Sequence, residues 1–331
     1  MKHGGNVWQG GNPADWLDFS ANLRPEGPPD WVKRVMEASL ALARYYPDRA
    51  LSRARRGIAE YARVPERCVL PTAGGTAAIG LACALRPGTV FFTPPTFGGY
   101  AEAARAYSRR AAAYSSADDL APGDLRFLCN PNNPTGEALS KDAVLAEAAL
   151  CRSRSAALAV DEAFIDFCPE HSVRAEAAVR DGLIVVGSLT KSLCVPGIRL
   201  GYLIAREDTV EKAKQYQPGW PLNTLAAAIA AEVPGHAAAL ERDRRLNAER
   251  RGQLAAGLRA LGAAVHASQS NFLLAAFARP MAEIADTLKK EGILVRTCSS
   301  FGLDDRFLRL AVKTPPENER LLDALSRCLP Q

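Results

Sequence analysis

Histidine is scarce in this sequence and paired cysteine is missing. The four histidines (3, 171, 236 and 266) are too few and too scattered to build a metal cage. The eight cysteines (68, 83, 129, 151, 168, 194, 298 and 328) include no C-x-x-C pair, so neither a disulfide framework nor a zinc site is expected. They read as small core thiols kept in a reducing compartment. Charge of one sign is also lacking: Lys+Arg 41 against Asp+Glu 36 leaves a net charge of +5. The densest basic stretches, 53–63 and 241–251, are interleaved with Ala, Leu or acids, and suit the solvated face of a helix better than a nucleic-acid groove. The first sixteen residues hold no apolar run of the secretory kind. The longest uncharged stretch, Cys68 to Leu85, contains Pro71, Gly74 and Gly75, so no membrane-spanning helix can be drawn through it. The expectation is a cytoplasmic protein with neither a nucleic-acid nor a membrane partner.

What is present suits a folded enzyme. With 331 residues, 48% hydrophobic and 23% charged, the chain can bury a sizeable core, and its length corresponds to about two domains. A helical pattern runs from about Asp30 to Arg44, with Asp30 as a candidate N-cap behind Pro28 and Pro29. Then short apolar runs at 90–92, 126–129, 157–160, 183–186 and 201–205 alternate with Ala-rich helical segments at 76–85, 98–112 and 140–152. Strands alternating with helices and lacking hairpin turns predict a mostly parallel sheet covered on both faces. After residue 206 a long helical stretch (222–260) leads into a smaller α+β region. The expected division is an N-terminal arm (1–29), a large α/β domain (30–206), and a connecting helix with a small C-terminal domain (207–331).

Open α/β sheets bind ligands at the carboxyl ends of their strands, and four features fall there. Gly74, Gly75 and Thr76 enter a helix, where free amides can cradle a phosphate. They match neither the dinucleotide nor the triphosphate glycine pattern. Asn130 to Gly136 follows the second strand as N-P-N-N-P-T-G. Asp161 ends the strand 157–160, and a buried Asp there needs a cationic partner. Lys191 follows the strand 183–186, where desolvation can free its amine for Schiff-base chemistry, and Arg199 comes eight residues later. Singly, each has an ordinary structural explanation. In this order they form a parts list for pyridoxal phosphate.

The combination resembles the fold-type-I pyridoxal-phosphate enzymes, in the branch that contains the histidinol-phosphate aminotransferases. That resemblance covers nearly the whole chain and implies an aspartate-aminotransferase-like fold. The segments His3-Gly4-Gly5-Asn6, Asp18 to Asn22, Asp161 to Phe167 and Cys298 to Asp304, followed by Phe307-Leu308-Arg309, are similar to the threonine-phosphate decarboxylase subgroup of cobalamin biosynthesis. Histidinol-phosphate aminotransferases typically carry Tyr where this chain has Phe164. By resemblance, Lys191 forms the Schiff base and shuttles a proton, Asp161 pairs with the pyridine nitrogen, Asn133 bonds the phenolate oxygen, and Phe97 stacks on the ring. The cofactor phosphate falls to Gly74, Gly75, Thr76, Thr190 and Arg199. Tyr46 is similar to a tyrosine that reaches this phosphate from a partner subunit, which implies a homodimer. Arg309 matches the arginine that holds the substrate carboxylate, and Arg296 is a candidate for the second anion of a small phosphorylated amino acid. His3 and Asn22 lie in an arm that can fold over the substrate. Decarboxylation and transamination need the same Lys, Asp and Asn, so these three residues leave that choice open.

Overall fold

The short apolar runs do form strands, and their ends define one edge of a sheet. The structure, a computed structural model, describes residues 4–329. Its strands in chain order are β1 (Leu17–Asp18), β2 (Val69–Thr72), β3 (Val90–Phe92), β4 (Ala111–Ala113), β5 (Leu125–Cys129), β6 (Ala157–Asp161), β7 (Leu183–Ser188), β8 (Gly201–Ile204), β9 (Ala264–Val265), β10 (Phe272–Ala276), β11 (Ile293–Leu294), β12 (Arg296–Thr297) and β13 (Phe307–Ala311). The principal sheet has the order β2-β8-β7-β6-β5-β3-β4. Only β8 runs antiparallel to its neighbours, β2 and β7. Along β6, side chains alternate between faces. Leu158 and Val160 join Ile58, Val185 and Leu222 on one side; Ala157 and Ala159 join Ile79, Tyr100 and Ile184 on the other. Helices cover both faces, as the unbroken burial of β6 and β7 requires.

Three sequence expectations change here. The helix expected over 98–112 spans Gly99–Ala106; Ser108 then takes a φ of 55°, and Ala111–Ala113 becomes the edge strand β4. Alanine's helical preference yields to backbone pairing at an open sheet edge. The stretch expected as one helix over 222–260 breaks at the 3-10 turn Val233–His236, which carries Pro234, and so divides into Thr224–Glu232 and Ala237–Ala260. Asp30 is the first residue of its helix, with Pro29 in the capping position.

The second core gathers Leu254, Leu258, Leu273, Ile284, Leu308 and Leu321 around the antiparallel sheet β12-β13-β10-β9. Val210, Ala213, Leu222 and Ile229 pack instead on the principal sheet, so packing changes within Ala237–Ala260, later than the 206 that composition suggested. The arm is stitched into the small core. The Leu17 amide donates to the Gly292 carbonyl (2.9 Å), the Phe19 amide to Leu294 (2.8 Å), and the Ala311 amide to Phe19 (2.9 Å). Phe19 is fully buried there. Among the described residues no helix is long and apolar enough to cross a membrane.

Candidate active site

The carboxyl ends of β5, β6 and β7 open into a cavity of about 350 Å³, closed on its other side by the arm and the small sheet. At one end lies a phosphate-shaped cradle. Gly74 has a φ of 79°, and the helix Gly75–Ala84 begins with no side chain capping it, so its first amides point out unsatisfied. Strand β8 passes tightly behind this turn: a Cβ on Gly201 would lie 2.5 Å from the Gly74 carbonyl carbon and 2.7 Å from the Gly75 nitrogen. The Arg199 guanidinium rests against Gly74, where a Cβ would come within 2.6 Å of its Nη2. The buried Ser188 and Thr190 hydroxyls meet at 2.7 Å beside it. Amides at a helix start, two hydroxyls and a guanidinium fit the phosphate of pyridoxal phosphate.

Asp161 is buried at the end of β6. Burial pushes its carboxyl above the usual carboxylate range, while hydrogen bonds from Tyr100 and the Ala163 amide and the charge of Lys191 pull the other way. The Tyr100 hydroxyl donates to Oδ2 at 2.8 Å and the Ala163 amide to Oδ1 at 3.0 Å. Sequence reading missed Tyr100. Its ring is fully buried, stacks on Phe127 at 4.6 Å and meets Phe97 edge-on at 5.5 Å. The available signal was a tyrosine one helical turn past Phe97 in an Ala-rich helix, a position where a buried hydroxyl needs a partner. Phe97 lines the cavity.

Lys191 is half-buried on the loop after β7. Burial, and then the charges of Arg309 and Arg199, lower its ammonium to about 8. A usable fraction is then neutral and nucleophilic near neutral pH. In the Asn-Pro loop, Asn130 and Asn132 serve the loop itself: Asn130 bonds both backbone polar groups of Leu139, and Asn132 bonds Thr96 and Pro95. Asn133 borders the cavity, and its Oδ1 accepts from Arg309 Nη1 at 2.7 Å.

Arg309 is buried between the rings of Phe272 and Phe301, 5.5 and 5.8 Å from their centroids, and donates to the Ser20 carbonyl at 2.6 Å. Burial lowers even this guanidinium, to about 10. Arg296 stands directly opposite on β12. It does not line the cavity, because its guanidinium turns to the Ser300 hydroxyl (2.5 Å) and the ring of Phe301. Among the described residues the side-chain and backbone acceptors of both arginines are neutral. Like charges facing each other across a ladder repel, so this pair gains when an anion arrives.

The arm completes the wall. Asn22 is buried there, and its Oδ1 has no hydrogen-bond partner among the described residues. His3 lies outside the described residues. Phe164 borders the cavity and packs edge-on against Phe272, with centroids 5.0 Å apart. Tyr46 is not brought to the cavity of its own chain; it is 81% exposed and leans on Trp220 at 4.8 Å.

Residues 14–325 match the family model for aminotransferase class I and II. The threonine-phosphate decarboxylase of Salmonella typhimurium is 34% identical over 99% of this chain and 96% of its own. The histidinol-phosphate aminotransferase of Symbiobacterium thermophilum is 31% identical over 95% of this chain and 91% of its own. Among solved structures, the histidinol-phosphate aminotransferase of Clostridium acetobutylicum superposes with a TM-score of 0.86 at 25% identity, covering 94% of this chain and 98% of that one.

Proposed function

The chain belongs to the class I and II aminotransferase family, with pyridoxal 5'-phosphate as its cofactor, and on that premise we propose that it decarboxylates L-threonine O-3-phosphate. The products are (R)-1-amino-2-propanol O-2-phosphate and CO2, with a proton replacing the carboxylate on the same carbon, a step of cobalamin biosynthesis. When bound, the cofactor supplies an aldehyde and an electron-accepting ring. In this reading Arg309 would bind and orient the substrate carboxylate, and orientation is what would favour loss of CO2 over loss of the α-proton. With the cofactor bound, Lys191 would deliver the proton to the carbon that loses CO2, Asp161 would hold the pyridine nitrogen protonated, and Asn133 would steady the phenolate oxygen. Asn22, with its unsatisfied oxygen, takes a place over the substrate, and Arg296 adds positive potential from the neighbouring strand.

The observation that carries this reading is the buried Arg309 on the cavity wall with the buried Arg296 opposite it on the next strand, outside the lining; among the described residues both donate only to neutral groups. A substrate bearing both a carboxylate and a phosphate of about −1.5 to −2 charge is the kind of anion such a pair awaits. The aminotransferase reading has the 31% identical relative in its favour. Phe164 supports the decarboxylase, since a phenyl ring in that wall cannot donate to the cofactor. The two readings separate in one assay. Carboxyl-labelled threonine phosphate is expected to release labelled CO2 without any 2-oxo acid. Turnover of histidinol phosphate that depends on 2-oxoglutarate, with no CO2 from threonine phosphate, reverses the assignment.

The active form in this reading is a homodimer. Tyr46 stands exposed in an apolar patch with Leu42, Tyr45 and Trp220, and the Tyr46 hydroxyl would complete a partner's phosphate cradle. Sedimentation of the loaded enzyme is expected to give a dimer, and Tyr46→Phe to weaken cofactor binding without dissociating it. A stable, fully active monomer removes Tyr46 from the site.

A further inference from the structure

Lys191 does not stand on a strand. It sits three residues past the end of β7, in a loop where Cys194 and Arg199 take positive φ values of 50° and 59° without being glycine. Each such residue costs about 1–2 kcal/mol, so the loop needs tertiary support to hold one shape. That support comes from the next residue. The buried Ser192 hydroxyl donates to Asp166 Oδ2 at 2.6 Å.

Asp166 is itself held from three sides. Its Oδ1 accepts from the Tyr61 hydroxyl and from Arg174 Nη2 at 3.2 Å. Arg174 is buried, lies over the rings of Tyr61 and Tyr202 at 4.9 and 5.4 Å, and pairs through Nε with Glu162 at 3.1 Å. Glu162 is the residue after Asp161. None of these side chains borders the cavity. The network thus ties the residue following the lysine to the residue following the aspartate, on the side away from the chemistry.

We propose that Asp166, clamped by Arg174 and Tyr61, is a positioning residue that aims the Lys191 amine through the Ser192 hydroxyl. The inference rests on the reading of Lys191 as the cofactor-binding lysine. Buried ion pairs contribute little net stability, so a role in geometry gives this one a use that its energy does not. Misplacing a reacting group by about 1 Å can cost a hundredfold in rate.

The test follows the capture of pyridoxal phosphate by cofactor-free protein, read as the visible absorbance that appears when the Lys191 amine condenses with the aldehyde and water leaves, and confirmed by reductive trapping and mass. Ser192→Ala is expected to slow capture by about tenfold or more, with a modest fall in Tm. The matched control is Ser172→Ala. The Ser172 hydroxyl donates to Glu162 at 2.8 Å, on the far side of Arg174 and out of reach of the lysine loop. It is expected to lower Tm similarly and leave the capture rate within about twofold of wild type. Equal capture rates in both variants, whether normal or equally slowed, mean that the network is structural only. A wild-type protein that shows no capture, or a Lys191→Ala variant that still shows it, overturns the lysine assignment itself and leaves the positioning question without its object.

Discussion

Lys191→Ala is expected to lose at least about ten-thousandfold in turnover, because in the proposed reading one amine serves both as the covalent anchor and as the proton donor, and proton transfer alone accounts for up to about that factor. Cofactor affinity should fall less, since the proposed phosphate cradle at the helix start, Thr190 and Arg199 is left intact. Wild-type capture of pyridoxal phosphate should follow the neutral amine. Burial and the two arginines place its ammonium at about 8, so the rate rises about tenfold per pH unit below that value and levels above it. Arg309→Met removes the larger source of repulsion and is expected to move the inflection upward. A capture rate independent of pH between 6 and 9 contradicts this account of Lys191; those limits reach about two units below its inflection and about one above it.

Asp161→Asn is expected to act in opposite directions on the empty and the loaded protein. Burial raises the Asp161 carboxyl, so its charge is costly until a cation sits beside it. An isosteric amide removes that cost while Tyr100 can still bond its oxygen, and the cofactor-free variant should melt no lower than wild type. In the loaded enzyme the same change would, on the proposed role of Asp161, leave the pyridine nitrogen without its counter-charge. Breaking a buried pair costs about 3 kcal/mol or more, which is over a hundredfold in kcat. Calorimetry of the empty protein and single-turnover rates of the loaded one check the two halves. A lower Tm with unchanged turnover identifies Asp161 as a structural residue.

Much of this site was legible because its residues cluster at punctuation. Gly74, Asn133, Asp161 and Lys191 each follow an apolar run and precede a turn, so strand ends could be located without knowing the strand order. The harder residues owe their places to distant contacts. Tyr100 reads as one more core aromatic until β6 brings Asp161 under its hydroxyl. Arg309 looks like a surface arginine on a short strand; only the arm's Ser20 and the loop's Asn133 reveal where it points. Arg296 shows the opposite case, a suitable residue whose guanidinium is drawn to Ser300 instead of the cavity. The edge strand β4 was hidden because three alanines carry no period-two signal.

The stitching of the arm sets an order on assembly. Leu17 and Phe19 pair with Gly292, Leu294 and Ala311, which leave the ribosome some 270 to 290 residues after them. Residues made well ahead of their partners are therefore among the last to find their places. Until the segment through Ala311 has been made, Phe19 has no pocket to enter, Asn22 has no wall to join, and the principal sheet presents an unroofed hollow. Closing so long a loop is slow for entropic reasons, and the final docking of this segment rather than the winding of the central sheet then times the birth of a working enzyme.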